Sequence, residues 1–389
     1  MSAEDSGSKR DRGSLENGSA GCGGSNREKD RGAKVARETR DEGNDASKEV
    51  SKKVRCGLYM AAKKRPKFQT FVETANITGL EMVDINLDDD GEELPGGLQA
   101  ILHKMTDDIA TASIDAKAKH RVDRFDLCLK ANPQAVVIDP LPNVVPLLKR
   151  GDMMNAMQHV IDVEKLPFKV PKWIMISDKQ ALDSADSDLQ SHGMKPPYIC
   201  KCDEACGVAK AHDMVVVSRG QDAGRMQLPF PLVMQEFVNH DNVIWKVYVL
   251  GDAPTCVQRP SLPNMSLRDI GEGHTLDFNS QRMNKAAASS APSPSNSPPD
   301  MDTIQRLATA LSTRMGLSLY GVDVIRDKDS GDFLLVDMNY FPGYEGVTGF
   351  HDSLAKHIIA CANSNGSRNR LASGTVGLAG SSADCTTAQ

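Results

Sequence analysis

Several familiar signatures are missing from this sequence. There is no G-x-x-x-x-G-K-[ST] run, no H-R-D or D-F-G, and no usable G-x-G-x-x-G; the G-C-G-G near the start follows no strand. P-loop and protein-kinase architectures are therefore not expected. No apolar run is long enough to span a bilayer, and the opening M-S-A-E-D-S-G-S has no apolar segment, so no secretory signal is expected. Nine cysteines are scattered over 389 residues, which fits reduced thiols better than a disulfide framework. The C-x-C-x3-C of Cys200, Cys202 and Cys206 matches no closed zinc pattern. A formal net charge of −6 leaves no basic excess for nucleic acid or a membrane surface, although a local basic pocket is compatible with it. No internal repeat is evident. These absences point to a soluble protein expected in the cytoplasm, with the nucleus left open.

What is present has a clear order. Residues 1–52 are rich in Gly, Ser and charge and poor in large apolar side chains, which predicts a disordered tail. From Val54, V-R-C-G-L-Y, E-M-V-D-I-N, L-Q-A-I-L-H and A-V-V-I-D read as strands. A-A-K-K-R-P-K-F-Q-T-F-V-E-T-A reads as a loop entering a helix and H-R-V-D-R-F-D-L-C-L-K as a helix, an alternation that predicts a parallel α/β layer over 53–148. The Pro-punctuated D-P-L-P-N-V-V-P-L-L-K-R-G-D marks a domain boundary, followed by a helix over Met153–Val163. The block 149–362 then carries K-W-I-M-I, P-Y-I-C-K, M-V-V-V-S, L-V-M-Q-E-F-V, V-I-W-K-V-Y-V-L-G and P-T-C-V-Q-R-P-S-L, which predict a mainly antiparallel sheet. A Ser/Pro-rich stretch at 286–299 reads as a disordered loop. Asp302 is the expected cap of a helix over Thr303–Met315 ending at Gly316, His351–Cys361 is a closing helix, and 363–389 is a second disordered tail.

The most informative stretch is Leu319–Gly346. Two apolar runs flank R-D-K-D-S-G-D, a β-hairpin pattern. With the turn near Ser330, Asp323 falls opposite Asp337, and Asn339 shares their face with Leu319, Gly321, Ile325, Phe333 and Leu335. Facing carboxylates about 5 Å apart repel by roughly 3 kcal/mol at an effective dielectric near 20. A hard divalent cation such as Mg²⁺ would offset that with carboxylate and amide oxygens; a solvated acidic hairpin end, or a pair sharing one proton, is the plainer alternative. Gly343, in F-P-G-Y-E-G, would let backbone approach a ligand.

Lysines add to this. Lys246 sits mid-strand among Ile244, Tyr248 and Leu250, and Lys201 ends the apolar P-Y-I-C-K. Each needs an anion or must lose its charge, unless it guards an edge strand. Lys64 and Lys104 follow the first and third strands, where open α/β sheets collect ligands; each could equally be a solvated loop residue. Arg259 and Ser261 in Q-R-P-S-L could hold phosphate or make a loop salt bridge. His212 follows a Gly-containing loop and on local grounds is a structural or solvated histidine as readily as a site residue. An Asp/Asp/Asn hairpin with strand-borne lysines suits phosphoryl transfer, where positioning and charge neutralisation dominate.

Taken in order, H-K-M-T-D, V-V-I-D-P-L-P, Y-I-C-K, Q-E-F-V-N-H, K-V-Y-V-L-G-D, V-Q-R-P-S-L, F-N-S and D-M-N-Y-F-P-G-Y-E-G resemble the inositol 1,3,4-trisphosphate 5/6-kinases, also called inositol-tetrakisphosphate 1-kinases, from about Val54 to Ala362. The resemblance implies an ATP-grasp fold, α/β and α+β, in which two lobes clamp ATP and an N-terminal parallel α/β domain helps to hold the inositol. It implies ATP contacts from Arg150, Lys201, the stretch Gln235 to Lys246, Ser261 and Ser280, with Gln235, Glu236, Phe237 and Val238 offering backbone to adenine. Asp323, Asp337 and Asn339 would hold Mg²⁺. Lys64, His212, Lys246, Arg259, Asn339 and Gly343 would meet the inositol phosphates, with Lys104 a weaker member of that set. Lys201, His212, Lys246 and Asp337 are the expected catalytic group. Cys206 stands where animal members have histidine, one extra residue precedes His212, and Asn284 replaces a frequent serine.

Three functions fit these residues: a Mg²⁺/ATP-dependent inositol polyphosphate kinase, an ATP-grasp ligase joining a carboxylate to an amine, and a non-catalytic binder of nucleotide or inositol phosphate. The first implies ATP and inositol polyphosphates as ligands, no nucleic acid or membrane partner, and a monomer.

Overall fold

A computed structural model describes residues 53–364, apart from 76–77, 272 and 281–296. The expectations for residues 1–52 and for Asn284, and most of those for the 286–299 stretch and the C-terminal tail, lie outside the described residues.

The alternating pattern of the first block folds into four parallel strands, β1 (Val54–Tyr59), β2 (Leu80–Asp84), β3 (Ala100–His103) and β4 (Val136–Ile138), in the order β2-β1-β3-β4. The helix Ala116–Ala131 covers one face; its Phe125 and Cys128 pack with Tyr59, Ile101 and Met105. A short helix, Thr106–Thr111, follows β3 and was not anticipated from the sequence. The opposite face, carrying Cys56, Leu58, Ala100 and Leu102, shares a core with the helix Phe350–Asn363 and with Tyr248, Leu319 and Phe341 further along the chain.

The expected single antiparallel sheet is in fact two. One has the order β12-β8-β7-β9-β6, built from β6 (Trp173–Ile176), β7 (Tyr198–Cys202), β8 (Asp213–Val217), β9 (Leu232–Glu236) and β12 (Thr275–Asn279). The other has the order β11-β10-β13-β14-β5, from β5 (Phe168–Lys169), β10 (Val243–Leu250), β11 (Ala253–Pro260), β13 (Leu319–Arg326) and β14 (Phe333–Tyr340). Every pair in these two sheets is antiparallel except β14 with β5. Periodicity reports that strands are half-buried, not which neighbours they choose, so the split left no trace in the strand pattern and was carried only by the two lobes that the resemblance implies. The helix expected over Met153–Val163 spans Arg150–Glu164.

The hairpin forms with Asp323 opposite Asp337, as the turn chemistry implies. Beyond that pair the register shifts, so that Val324 faces Leu335 and Val336 is the extra residue of a bulge. The shift reverses the expected faces. Leu335, predicted beside the carboxylates, is fully buried in the core with Val322, Val324 and Met338, and Phe333 packs on the edge of that core. The one-residue slip moves the side chains between the turn and the bulge, Phe333 to Leu335, to the other face, and burial of Leu335 drives it. A second correction concerns the helix Met301–Met315. Its cap is Asp300, which accepts from the Thr303 backbone N–H at 2.8 Å, and not Asp302. Gly316 closes that helix in a left-handed conformation (φ 64°).

Asp139, just after β4, joins the N-terminal sheet to the hairpin. Its carboxylate accepts from Ser318 N (2.7 Å), Ser318 Oγ (2.7 Å) and Leu319 N (3.0 Å) at the start of β13. Tyr340, ending β14, donates its hydroxyl to Ile138 O at 2.8 Å and accepts from Asp139 N at 2.8 Å.

Candidate active site

The segment between β9 and β10 connects the two five-stranded sheets, and the lysines of both interact electrostatically with the hairpin carboxylates. Neither lysine guards an edge: β10 lies between β11 and β13, and β7 between β8 and β9. That removes the aggregation-guard reading of both. Lys246 pairs in register with Asp323, and its Nζ lies 2.7 and 2.9 Å from the two Asp323 oxygens. Burial works against the charge of Lys246, but Asp323 outweighs it and holds the ammonium above its ordinary pKa. Asp323, 9% exposed, is nonetheless pushed up, first by burial and then by Asp337, against the pull of Lys246. Lys246 counts for more at this carboxylate than Asp337 does, so burial is what leaves the shift upward. Asn339 donates to Asp337 Oδ2 at 3.0 Å, a bond that leaves its amide oxygen uncommitted.

Lys201 presents the opposite case. It shares the β7 face of Ile199, away from the Tyr198 and Cys200 that enter the lobe's own core. Its Nζ donates to Gln235 Oε1 at 3.1 Å, and Gln235 is itself buried on β9. With an amide where Lys246 has a carboxylate, Lys201 is pushed down to about 8 by burial; Asp337 and Asp323 pull upward and Arg150 downward.

Arg150 is 4% exposed and spends its guanidinium on carbonyls: Cys202 O (2.7 Å), Glu204 O (2.8 Å) and Ala211 O (2.7 Å). It thereby ties together the two ends of the loop joining β7 to β8. The tip of that loop rests on the helix Thr106–Thr111: Cys206 Sγ lies 3.5 Å from Thr106 O, and a Cβ at Gly207 (φ 78°) would stand 3.2 Å from Asp107 O. His212, at the end of the loop, is held below its ordinary pKa first by burial and then by Arg150, with Asp337 and Asp107 opposing. Its carbonyl accepts from Ser280 N at 2.9 Å, which places Ser280 beside it.

From the N-terminal sheet, Lys64 Nζ reaches Asp107 Oδ2 at 2.8 Å, and Lys63 reaches the same oxygen at 3.2 Å. Asp107 was missed in the sequence because nothing local marks a carboxylate that will lie between two lysines some forty residues away. Lys104 donates to Phe341 O, and Arg259 to Glu345 O, so the two cations hold the two ends of the turn around Gly343. Phe341 and Tyr344 both adopt positive φ (42° and 48°), and the buried Tyr344 hydroxyl donates to Val249 O at 2.7 Å. In the segment between the sheets, Glu236 N and Phe237 N donate to Lys172 O and Pro197 O, both at 2.9 Å. Val238 O accepts from His240 Nδ1 at 2.7 Å, and His240 Nε2 meets Ser261 Oγ, also at 2.7 Å. His240 lies inside the quoted Q-E-F-V-N-H run, but its partner is 21 residues on and only the fold brings them together.

Electrostatic coupling thus links Lys201, His212, Lys246, Asp323 and Asp337, with the Lys64–Asp107 pair facing them from the N-terminal sheet. Two family models match these same parts: the inositol 1,3,4-trisphosphate 5/6-kinase pre-ATP-grasp domain over residues 55–144, and the ATP-grasp domain of those kinases over 163–360. The chain belongs to this family. Inositol-tetrakisphosphate 1-kinase of Danio rerio is 31% identical over 316 residues, covering 78% of each chain. Inositol-tetrakisphosphate 1-kinase 1 of Arabidopsis thaliana is 31% identical over 328 residues, covering 80% of this chain and 96% of its own. Among solved structures, the RiPP-associated ATP-grasp ligase of Chryseobacterium gregarium matches with a TM-score of 0.53 at 12% identity, over 79% of this chain and 96% of the ligase. The macrocyclase MdnC of Microcystis aeruginosa matches with a TM-score of 0.52 at 11% identity, over 79% of this chain and 99% of its own. At such identities the two enzymes establish the ATP-grasp fold alone, and that fold was the expectation drawn from the resemblance. No helix among the described residues is long and apolar enough to cross a membrane.

Proposed function

We propose that this member of the family is an ATP-dependent inositol polyphosphate kinase, transferring the γ-phosphate of ATP to a free ring hydroxyl of an inositol tris- or tetrakisphosphate. The observation that carries this reading is the arrangement of charge. Asp323, buried beside the half-buried Asp337, meets Lys246 on the neighbouring strand and lies within electrostatic reach of Lys201 on the other sheet, and a second basic group, Lys63 and Lys64 on Asp107, lies on the N-terminal side. Lysines on both sides suit a donor and an acceptor that each carry several phosphates, whereas a carboxylate–amine ligase has no need of the second group.

The donor set Asp323, Asp337 and Asn339 fits Mg²⁺. All three offer hard oxygens, and the buried Asp323 lies directly opposite Asp337 across the hairpin. The described residues hold no group of three or more His, Cys, Asp or Glu suited to a metal, and beside the two carboxylates the amide oxygen of Asn339 would be the third ligand. When bound, the ion would neutralise the terminal phosphates of the nucleotide. Lys246 and Lys201 place positive charge at the transferring phosphoryl group. The loop pinned by Arg150 carries His212 to the acceptor side, where a half-buried neutral imidazole can orient the hydroxyl and accept its proton. In-line alignment of that hydroxyl follows from Lys64, Lys104, Arg259 and the turn at Gly343, and most of the catalysis is this positioning. The boundary near Asp139–Asp152 would then separate an acceptor-holding domain from the ATP-binding lobes.

The test is a substrate panel with Mg²⁺-ATP. Phosphate transfer to inositol tris- and tetrakisphosphates, with the new position assigned by NMR, is expected. ADP release only with carboxylate–amine pairs would replace this reading with the ligase, and saturable binding without transfer would leave a binding protein.

A further inference from the structure

We propose that Tyr340 and Asp139 are positioning residues that register the acceptor-holding domain on the metal-ligand hairpin, so that the transferring phosphoryl group meets an inositol hydroxyl before it meets water. The inference deepens the kinase reading and rests on it. Among the described residues, no strand of the N-terminal sheet pairs with a strand of the hairpin's sheet. The core that the two share supplies cohesion, but apolar attraction is non-directional and sets register only loosely. Directional bonds must do the rest, and they converge on the end of β4. The Tyr340 hydroxyl donates to Ile138 O and accepts from Asp139 N, both at 2.8 Å, so one side chain serves a carbonyl and an amide as a neighbouring strand would. The Asp139 carboxylate takes the other strand of the hairpin, through Ser318 N, Ser318 Oγ and Leu319 N. Both strands are thus clamped at the open end of the hairpin, where Phe341 N donates to Leu319 O at 2.8 Å.

What lies on each side of this clamp makes it more than scaffolding. Asn339 precedes Tyr340 in the chain, and Asp337 is three residues away, about 10 Å at strand rise. On the other side, Nε2 of the buried His103 lies 2.6 Å from Asp139 O, and since a carbonyl only accepts, Nε2 carries the proton. Lys104 follows His103 and donates to Phe341 O. A short run of hydrogen bonds therefore joins the proposed metal ligands to the acceptor-side lysine, through side chains that are at most 5% exposed. An error of about 1 Å in such a spacing can cost about 10²-fold in rate. With the inositol hydroxyl out of line, water can take its place. It attacks the γ-phosphorus, the bond to the β-phosphate oxygen breaks, and ADP and inorganic phosphate leave with one proton released to solvent.

The test takes the full-length protein with Mg²⁺-ATP and an inositol tris- or tetrakisphosphate, and counts ADP released against inositol phosphate product. Wild type should release one ADP per product. Tyr340→Phe should lower kcat for transfer about ten- to a hundredfold with KM for ATP held, and should release ADP in excess of product. Tyr320→Phe is the control. Its buried hydroxyl, directly opposite Tyr340 in the hairpin, donates to Ala308 O at 2.8 Å and so ties the hairpin to the helix Met301–Met315, not to the N-terminal sheet. That variant should lose melting temperature as Tyr340→Phe does and still release one ADP per product. Ser318→Ala removes one of the bonds to Asp139; it should show a smaller excess, and it decides the matter if Tyr340→Phe does not fold. ADP matched to product in Tyr340→Phe, or in Ser318→Ala where that variant alone folds, overturns the inference. So does an equal excess in Tyr320→Phe, which would mark general loosening. Those outcomes leave the kinase reading standing, whereas a wild type that transfers to no inositol phosphate sinks both.

Discussion

Two lysines on facing sheets show how one substitution of partner changes the chemistry of a side chain. Lys246 on β10 and Lys201 on β7 both sit mid-sheet. Lys246 meets the carboxylate of Asp323 and keeps its charge, whereas Lys201 meets the amide of Gln235 and is pushed down to about 8. The first is satisfied within the protein. The second is held ready for an anion from outside, since a polyphosphate would supply the charge that Gln235 lacks. A site that pre-paired both lysines would have little attraction left for a nucleotide, and one that paired neither would fold poorly.

The comparison breaks most severely at the carboxylates. Asp337→Ala removes the oxygen donor set's centre while burying no new charge. It should lower kcat by at least about 10²-fold, as loss of a transition-state electrostatic group does, with the melting temperature little changed. Full activity in that variant would end the proposed mechanism. Asp323→Ala should behave differently. It strands Lys246 without its partner, and a drop of about 2–4 kcal/mol in unfolding free energy is expected, held below the fully buried range because the Lys246 side chain is 23% exposed. Lys201→Met should do the reverse: stability in denaturant held or increased, nucleotide affinity lost. If both substitutions cost the same stability, the contrast between the two lysines is wrong.

Proton linkage sharpens the same contrast. Lys201 has a folded pKa below its unfolded value, so the folded state binds fewer protons between about pH 8 and the ordinary lysine value, and the penalty of this buried charge fades as pH rises through that window. Lys246 has a raised pKa; its contribution is fully present below the unfolded value and is lost as pH rises through the higher folded one. Nucleotide phosphates should raise Lys201 again, so binding should take up a proton above about pH 8, and affinity should fall up to tenfold per pH unit from there. Calorimetry in buffers of different ionisation enthalpy reads that uptake directly. The smallest expected effect comes from Gln235→Glu, which gives Lys201 the kind of partner Lys246 already has. The pH midpoint of nucleotide affinity should move up by about one unit, and an unmoved midpoint would mean that Gln235 does not set it.

Some of this was legible without coordinates. The hairpin turn in R-D-K-D-S-G-D places Asp323 opposite Asp337, because turn residues set register locally and strand side chains alternate. The parallel order of the first block follows from its alternating strands and helices in the same way. The bulge at Val336 was not legible. It arises because Leu335 is drawn into a core made of distant residues, and the apolar pattern V-I-R…F-L-L-V reads equally well in either register. His240 with Ser261, and Asp107 with Lys63 and Lys64, were hidden for a related reason: a hydrogen bond or ion pair leaves no periodic trace when its partners lie some twenty to forty residues apart.

By itself, then, the sequence determined most of the strands and the longer helices, which hairpin carries the paired acids, and which family's ordered motifs the chain bears, since propensity, turn chemistry and side-chain alternation act within a few residues. Only the tertiary structure decided which strands share each of the two sheets, the face on which the side chains between the turn and the bulge emerge, and the partner each buried charge meets. Those depend on how packed surfaces exclude water from one another, and a lysine's pKa is set by its burial and by the partner the fold places beside it, not by its neighbours in the chain.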